Sequence, residues 1–522
     1  MTLKKFNIIP EPVNILLKEG AFILNEETLI LTDLKVKKIA EQLKQILLSM
    51  LGLNINIKGD IQTNIKENLI ILKIVHNEKQ LNGEGYKLGI SQDCIEIVAS
   101  TPKGLFYCIQ TLRQLIPLDN IRKKDLKHEF FIPCVEIEDY PRFQWRGFML
   151  DESRHFFGEK IVKNILDLMA FLKLNKFHWH LTDDQGWRFE INRYPLLTEI
   201  GSKREGTITA RQKALLCSEK QKIPIDGIPV TGCYTQNELK EIISYATEHH
   251  ISIIPEIDIP GHTTAILASY PHLSCTGGPF DVSTRFRVHR DVLCVGNNEI
   301  FEFLENILDE IVQLFPSKII HIGGDEVPIK RWKDCPKCQA LVQTEGLNDV
   351  MNLQPYFTNK IAECLASKDR RIIVWNDILN DDLTSNAICQ YWLNNLNMVF
   401  NHVREGRDVV MSEMNALYLN YPYKIIPLHQ TYNYDPIPSN LEEKFHRNIL
   451  GLEACLWTEF VPTKEILDWQ TFPRLIAVSE TAWTKKEKRN YESFIKRLDK
   501  FLPLLKEFDF HYPSKEEFLQ EQ

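Results

Sequence analysis

The chain has 522 residues, a net charge of −8, and 44% hydrophobic and 25% charged residues. This length exceeds that of one ordinary domain and predicts two domains with large apolar cores and no extended disorder. The negative charge and the scattered Lys and Arg residues argue against a nucleic-acid partner. The sequence contains no run of about twenty apolar residues, so it predicts no membrane-spanning helix.

The first segment, residues 1–140, alternates strands and helices on a small scale. Hydrophobic periodicity predicts strands at 22–32, 68–75 and 94–99, and helices at 36–51 and 104–116. The segment has no cluster of acids, histidines or cysteines, so we predict a small structural α/β domain. The acidic stretch 136–143, which contains a proline, separates it from the rest.

From Trp145 onward, strands and helices alternate at the spacing of a parallel barrel. The predicted strands are 145–151, 176–184, 251–262, 318–322, 371–377, 387–392, 408–413 and 449–457. Eight such strands predict an α/β fold, a (β/α)₈ TIM barrel over residues 141–485, with its active site at the carboxyl-terminal strand ends. Residues 486–522 are predicted to be a helical extension that packs on the barrel.

Two adjacent acids follow the fourth predicted strand, in SKIIHIGGDEVPIKRW (317–332). Neighbouring side chains of a regular strand face opposite ways, which would let only one acid enter a given cavity. The glycines before Asp325 and Glu326 can bend the backbone and remove that limit. We therefore predict that both acids face one cavity.

Polar and aromatic residues recur at the other predicted strand ends. These residues are Arg146, Asp151, His180, Asp183, Asp184, Asp258, His262, Trp375, Asp377, Trp392, Trp457 and Glu459. Several tryptophans beside a ring of carboxylates are typical of a sugar pocket, where aromatic faces stack on the ring and acids bind hydroxyls.

Two further patterns concern metals. Twelve cysteines, with no secretory signal predicted in the opening residues, indicate reduced side chains, and Cys294 is expected to act as a small hydrophobe. Cys335 and Cys338 form a C-x-x-C pair that fits a turn or a local disulfide. A metal site is the weaker alternative, because zinc usually needs two such pairs and the sequence has no second one. His178 and His180 share a strand face and, with His262, form an alternative metal site of a barrel hydrolase. No cofactor or metal is assigned.

Five motifs, WRGFMLDESRHFF, NKFHWHLTDDQGWR, EIDIPGHTTA, HIGGDEVP and GLEACLWTEF, resemble in order those of the β-N-acetylhexosaminidases of glycoside hydrolase family 20. TPKGLFYCIQTLRQLI is similar to the last helix of the small domain that precedes their barrel. The resemblance implies that Glu326 is the general acid/base and that Asp325 holds the 2-acetamido group of the substrate. The acetamido oxygen then attacks the anomeric carbon, and water opens the oxazolinium intermediate with retention.

The resemblance also implies the walls of the pocket. Arg146 and Glu459 would bind sugar hydroxyls, and Tyr418 would donate to the acetamido oxygen with Asn420 beside it. Trp375, Trp392 and Trp457 would surround the acetamido methyl group and the sugar face. Asp183 and His262 would support the acid/base or form a purely structural pair.

The expected function is an exo-acting retaining β-N-acetylhexosaminidase that removes terminal N-acetylglucosamine or N-acetylgalactosamine from small oligosaccharides or glycan ends. A sugar-binding module without turnover is the alternative, which the intact pair of Asp325 and Glu326 disfavours. We expect a cytoplasmic monomer or homodimer with no nucleic-acid or membrane partner. The insertion at 201–233 is assigned no role.

Overall fold

A computed structural model describes residues 7–59, 67–75, 81, 83–116, 129–208 and 224–519, so part of the 201–233 insertion lies outside it. The chain divides into two compact units. The first comprises Met1–Gln144, Asp167–Leu174 and Ile476–Tyr512, and the second comprises Trp145–Leu166, Asn175–Leu475 and Pro513–Gln522. In this division residues 167–174 and 476–512 group with the first unit.

The first unit contains a seven-stranded sheet with the order β1-β7-β5-β6-β4-β2-β3. Its elements are β1 (Asn14–Leu24), β2 (Leu29–Thr32), α1 (Lys37–Leu51), β3 (Asn56–Lys58), β4 (Leu69–Ile74), β5 (Tyr86–Ile90), β6 (Cys94–Ala99), α2 (Pro102–Leu115) and β7 (Phe130–Asp139). The single strand predicted at 22–32 is two strands, because a turn closes where the Thr28 N–H donates to the Asn25 carbonyl at 3.2 Å.

A buried polar cluster joins separate segments of this unit. The Lys173 ammonium lies 2.9 Å from Oδ2 of Asp139 and donates to the Tyr86 hydroxyl at 2.7 Å. The Trp483 indole donates to the other Asp139 oxygen at 2.9 Å. Because a buried charge requires such partners, Asp139 holds residues 167–174 and the segment after 476 within the first unit.

The second unit contains a closed barrel of eight parallel strands, which confirms the predicted (β/α)₈ fold. Its strands are β8 (Trp145–Asp151), β9 (Lys176–His180), β12 (Ser252–Glu256), β13 (Ile319–His321), β14 (Arg371–Trp375), β15 (Ile388–Tyr391), β16 (Val409–Met411) and β17 (Ile449–Leu456). A short hairpin, β10 (Thr182–Asp183) and β11 (Gly186–Trp187), follows β9.

Helices lie between most of the barrel strands and after the last one. They are α3 (Glu159–Phe171), α4 (Leu196–Glu199), α5 (Gln236–Glu248), α6 (Thr264–Ser269), α7 (Glu299–Leu314), α8 (Lys330–Asp334), α9 (Pro336–Thr344), α10 (Leu353–Ser367), α11 (Leu396–Arg404), α12 (Met414–Leu417), α13 (Leu428–Asn433), α14 (Lys464–Thr471), α15 (Arg474–Trp483), α16 (Tyr491–Phe501) and α17 (Lys515–Phe518). None in the described ranges has the length and apolarity needed to cross a membrane.

Local sequence explains the start of α5. The Glu238 N–H donates to the Thr235 hydroxyl at 3.2 Å, and the Glu238 carboxylate accepts from the Thr235 N–H at 2.7 Å. This reciprocal capping box satisfies two N–H groups that a helix terminus otherwise leaves unpaired. The helix therefore begins at Gln236.

The inside of the barrel contains a buried polar network. Glu453 accepts from the Trp145 indole at 2.8 Å and from the Gln390 amide at 2.8 Å, and lies 2.7 Å from Nδ1 of His178. These partners come from strands that are not neighbours of β17, apart from Trp145 on β8. The network therefore joins opposite sides of the barrel through buried hydrogen bonds.

Candidate active site

The loop after β13 bends sharply and carries the acid pair. Gly323 and Gly324 have φ values of 64° and 92°, and Glu326 has a φ of 49°. A Cβ atom on Gly323 would lie 1.9 Å from Oδ1 of Asp258, so only glycine fits there. The Gly324 N–H donates to that same oxygen at 3.0 Å.

The bend brings both acids to one point. Nε2 of His262 lies 3.9 Å from Oδ2 of Asp325 and 3.6 Å from Oε2 of Glu326. The left-handed backbone of Glu326 costs about 1 kcal/mol or more, a cost that folds tolerate mainly at functional sites. The two neighbouring carboxylates therefore face a shared region, as the paired glycines predict.

Asp325 is a largely enclosed carboxylate whose side chain is 15% exposed. Burial raises its pKa to about 7, helped by the charges of Glu326 and Asp377 and opposed by that of His262. Its Oδ1 atom is buried and makes no hydrogen bond to any described residue. Because buried polar atoms are normally paired, this oxygen is suited to accept a hydrogen bond from a ligand.

His262 lies between the acid pair and a second pair of acids. Its Nδ1 atom is 3.2 Å from Oδ1 of Asp183 and 3.2 Å from Oδ2 of Asp184. Burial alone lowers the pKa of His262, but Asp183 and the other acids raise it well above its usual value. His262 therefore carries a positive charge between four carboxylates.

Arg154, which the sequence reasoning missed, completes this chain of charges. Its guanidinium lies 2.6 Å from Asp183 and 3.1 Å from Asp151, and its Nε atom donates to the Gln185 side chain at 2.7 Å. It also lies over the Trp457 ring at 5.1 Å. Asp151 accepts the Arg154 N–H at 3.1 Å, which fixes the loop after β8.

Four aromatic residues form a wall beside Asp325. The Trp457 ring centroid lies 5.8 Å from that of Trp375 and 6.1 Å from that of Tyr418, and the Tyr418 ring stacks on Trp392 at 6.1 Å. Burial raises the pKa of Tyr418 well above its usual value, with Cys455 adding to the shift, so its hydroxyl is a neutral donor. The predicted aromatic residues are thus brought together.

Hydrogen bonds orient two of these indoles. Trp375 donates to Glu256 inside the barrel at 2.9 Å, and Trp392 donates to Asp377 at 2.6 Å. Burial raises the pKa of Asp377, and the hydrogen bond from Trp392 lowers it. The aromatic wall is therefore held by carboxylates as well as by packing.

The structure places Arg146 away from this region, so its expected position at the barrel mouth is wrong. Arg146 is the second residue of β8, which runs from Trp145 to Asp151, and is fully buried. At about 3.3 Å per residue, it lies about 16 Å along the strand from Asp151. A residue at the amino end of a barrel strand usually serves stability. Arg154, three residues beyond the strand, is instead the arginine that contacts Asp183 and Asp151.

Glu459 and Asn420 lie next to residues of the pocket. Burial raises the pKa of Glu459, whereas the charge of Arg154 lowers it. Asn420 follows Tyr418 by two residues, and its Oδ1 atom is buried with no hydrogen bond to the described residues. Both side chains therefore offer oxygens that a ligand could engage.

Several groups of side chains in the described ranges lie close enough together to hold a metal ion. They are Cys275, Cys294, Cys335 and Cys338; His178, Glu256 and His321; Asp183, Asp184 and His262; and Asp258, His262 and Asp325. The alternative metal site predicted from the sequence grouped His178 with His262, but these two residues belong to different sets. The rings of His178 and His180 both lie against Glu256 inside the barrel.

A (β/α)₈ barrel whose mouth carries an acid pair, an aromatic wall and a charged arginine defines the class of barrel carbohydrate-active proteins. Comparison with known proteins agrees. The family model described as glycosyl hydrolase family 20, catalytic domain, matches residues 143–486, and the model for domain 2 of that family matches residues 5–140. The chain belongs to glycosyl hydrolase family 20.

Individual relatives are similar over most of the chain. A β-hexosaminidase of Porphyromonas gingivalis is 36% identical over 510 residues, which are 95% of this chain and 63% of that protein. A β-hexosaminidase of Akkermansia muciniphila is 30% identical, covering 82% of this chain and 85% of the relative. The chain thus spans less than two thirds of the Porphyromonas protein.

Solved structures share the fold. The β-N-acetylhexosaminidase of Bacteroides fragilis has a TM-score of 0.81 and 29% identity, with 99% of each chain covered. An exo β-N-acetylglucosaminidase from Vibrio harveyi, solved with N-acetylglucosamine, has a TM-score of 0.84 and 29% identity, covering 97% of this chain and 78% of the other.

Proposed function

We propose that this chain is an exo-acting β-N-acetylhexosaminidase that hydrolyses terminal N-acetylglucosamine or N-acetylgalactosamine with retention. The observation that carries the proposal is the buried Oδ1 atom of Asp325, which makes no hydrogen bond within the part of the chain that the structure describes and lies beside Glu326 and the aromatic wall. A substrate acetamido group has an N–H for this oxygen and a methyl group for the aromatic rings. The names of the relatives support the same class of substrate.

In the proposed mechanism, Asp325 activates the nucleophile of the substrate. An ionised Asp325 accepts the acetamido N–H and orients the carbonyl oxygen towards the anomeric carbon. As that oxygen attacks, positive charge spreads over the amide, and the carboxylate stabilises it in a site largely closed to water. The product of this step is a cyclic oxazolinium ion, and no carboxylate of the protein forms a covalent bond.

Glu326 supplies and then recovers the proton. Its side chain is 41% exposed, which suits contact with the glycosidic oxygen of a bound sugar. In the first step it donates a proton to the leaving oxygen, and in the second it accepts one from the water that opens the oxazolinium ion. His262, 3.6 Å from Glu326, is the adjacent positive charge and a positioning residue.

The walls of the pocket select the terminal sugar. We propose that Arg154, rather than Arg146, binds ring hydroxyls together with Glu459. Tyr418 would donate its hydroxyl to the acetamido oxygen, and Trp457 would stack on the sugar face. Charged groups on the side of the pocket opposite Glu326 would stop a glycan from extending past the terminal residue, which is the basis of exo action.

Comparing two aryl glycosides tests the proposal. An aryl N-acetyl-β-glucosaminide should be hydrolysed, whereas the matching aryl β-glucoside, which lacks the acetamido nucleophile, should not. Proton NMR of the first product should show the β anomer. Equal hydrolysis of both glycosides, or an α product, would overturn the mechanism.

A matched N-acetylgalactosaminide and a set of N-acetylglucosamine oligomers would then define the substrate range. Products released one residue at a time from the non-reducing end are expected. Tight binding of the sugar with no turnover of any glycoside would instead support a binding module, which is the second class of function considered for this fold.

A further inference from the structure

Four cysteines lie together in the second unit, outside the proposed pocket. The sulfur atoms of Cys275, Cys294, Cys335 and Cys338 all lie within 4.8 Å of one another. Cys294 Sγ is 3.6 Å from Cys335 Sγ and 3.7 Å from Cys338 Sγ, and Cys275 Sγ is 3.9 Å from Cys338 Sγ. The cluster differs from the prediction for Cys294, which was expected to act only as a small hydrophobic side chain.

The distances fit a tetrahedral metal site. Zinc binds thiolates at about 2.3 Å, and four ligands at the corners of a tetrahedron of that radius lie about 3.8 Å apart. A disulfide requires sulfur atoms about 2.05 Å apart, and these pairs are well beyond that. The observed separations of 3.6–3.9 Å therefore match the edges of a Zn(Cys)₄ tetrahedron.

Three chain segments supply the cluster, one of them carrying two of the four cysteines. Cys335 and Cys338 lie at the start of α9, where Cys335 is the residue before Pro336. The other two come from paired segments, since Ser274 and Leu293 form an antiparallel bridge and the Cys294 N–H donates to the Leu273 carbonyl at 2.9 Å. The second ligand pair is thus formed by tertiary structure instead of by a second C-x-x-C motif.

The backbone around the cluster is tightly packed. A Cβ atom on Gly296 would lie 2.3 Å from the carbonyl carbon of Lys337 and 2.4 Å from the Cys338 nitrogen. Cys294 and Cys338 are fully buried, and Cys335 is 5% exposed. Only glycine at 296 allows the loop after Cys294 to approach the cysteine pair this closely.

We propose that these four cysteines bind one Zn²⁺ ion as a structural site. All four coordination positions are filled by protein sulfur, so no position remains for water or substrate, which is the arrangement of structural rather than catalytic zinc. The four thiols would lose their protons as the metal binds, and no redox change is involved. The site is independent of the proposed hydrolytic chemistry.

The position of the cluster indicates what the zinc would stabilise. Cys275 and Cys294 lie in the connection between β12 and β13, which also contains His262. Cys335 and Cys338 follow the loop after β13, which carries Glu326. The Leu293 N–H donates to the Pro260 carbonyl at 3.0 Å, and the Trp332 indole donates to the Leu293 carbonyl at 2.9 Å. The metal would therefore join the two loops that hold the acid pair and His262.

Metal content tests the proposal directly. Protein purified under reducing conditions from zinc-supplemented medium and desalted should hold about one zinc ion per chain by elemental analysis. Cys338→Ser and Cys275→Ser should each reduce this value to near zero. Cys364→Ser, which changes a half-buried cysteine of α10 outside the cluster, should retain the zinc.

A measurement on the unaltered chain guards against a variant that fails to fold. After the zinc is exchanged for Co²⁺, the protein should show the intense visible absorption of tetrahedral cobalt and a thiolate-to-cobalt charge-transfer band. Unaltered protein that holds no zinc and shows neither band would overturn the proposal. An intact mass measured without reductant that is four hydrogens lower than that of the reduced chain would also overturn the proposal, because two disulfides remove four hydrogens.

Discussion

Glu256 and Glu453 inside the barrel have partners on every carboxylate oxygen, whereas Asp325 at the mouth has a buried oxygen with none among the described residues. Both regions are enclosed and both are rich in acids and aromatic rings. The interior carboxylates bind histidines and indoles of other strands and therefore hold the barrel together. The unpaired oxygen of Asp325 contributes less to folding and is left for a ligand.

Electrostatics separates the two regions in the same way. Burial alone lowers the pKa of His178, but Glu453 and Glu256 raise it to about 9, and the pKa of Glu256 falls well below its usual value because His180 and the other histidines offset its burial. At the mouth, burial instead raises the pKa of Asp325 to about 7. Inside the barrel the carboxylates are balanced by positively charged histidines, whereas at the mouth Asp325 lies near the further negative charges of Glu326 and Asp377.

The largest effect is expected from Glu326→Gln at the mouth. Loss of the general acid should reduce kcat on a substrate with a poor leaving group by about 10²- to 10⁴-fold, with little change in the unfolding midpoint. An aryl glycoside with a highly acidic phenol should lose much less, because it needs no proton to depart. Full activity on the poor leaving group would remove Glu326 from the mechanism.

Inside the barrel, Glu256→Gln should act on stability. Removing this charge leaves buried, protonated histidines without their counter-ion, which should cost about 3–5 kcal/mol of unfolding free energy. Urea unfolding followed by fluorescence measures the change, and Glu241→Gln on the exposed face of α5 is the control. An unchanged midpoint for Glu256→Gln would contradict the structural role of the network.

The pH dependence of stability sharpens the comparison. The pKa of His178 is raised from 6.5 to about 9, so its contribution is fully present below about pH 6.5 and is lost as pH rises through 9. The shift corresponds to about 3 kcal/mol. The urea midpoint should fall over this range, and the fall should be smaller in a His178→Asn protein, in which His180 and His262, whose pKa values are also raised, still contribute. A flat profile in the unaltered protein would refute the assignment.

Paired arginine variants test which end of β8 faces the substrate. Arg154→Lys cannot reproduce the fork that contacts Asp151 and Asp183, and kcat/KM should fall by about 10- to 100-fold. Arg146→Lys should lower the melting temperature with a smaller effect on kcat/KM. The reverse ranking of the two variants would restore Arg146 as the substrate-binding residue.

The smallest effect is expected from Asp377→Asn. Asp325 must be ionised to act, so kcat/KM should decrease as pH falls through the pKa of Asp325 near 7. Because the charge of Asp377 raises that pKa, removing it should move the acidic limb to lower pH by less than about one unit. Asp381→Asn makes the same change in net charge on the exposed part of this loop. A shift of the same size in that control would exclude a local effect of Asp377.

Much of the fold could be predicted because its signals are local. All eight barrel strands begin within one residue of their predicted starts. The first unit was harder to predict. Its mixed sheet pairs β1 with β7 across more than 100 residues, and the turn at Asn25 was read as part of one strand.

The candidate site was predictable where strand ends identify it. Asp325, Glu326 and His262 lie in the loops after barrel strands and the tryptophans lie at strand ends, and parallel strands bring these ends together. Arg146 was misplaced although the predicted strand 145–151 already has it at the amino end, which is not the end that carries the active site in this fold. Arg154 lies in the loop beyond the strand, where sequence spacing alone says little about side-chain partners.

The amino-acid sequence alone determined the barrel, the small domain before it and the acid pair after a glycine bend, because hydrophobic periodicity and glycine conformation act between neighbouring residues. Only the tertiary structure decided which carboxylates are paired, which partners Arg154 has and which cysteines meet. Those properties depend on contacts between residues far apart in the chain, such as Cys275 with Cys338, and no local pattern encodes them.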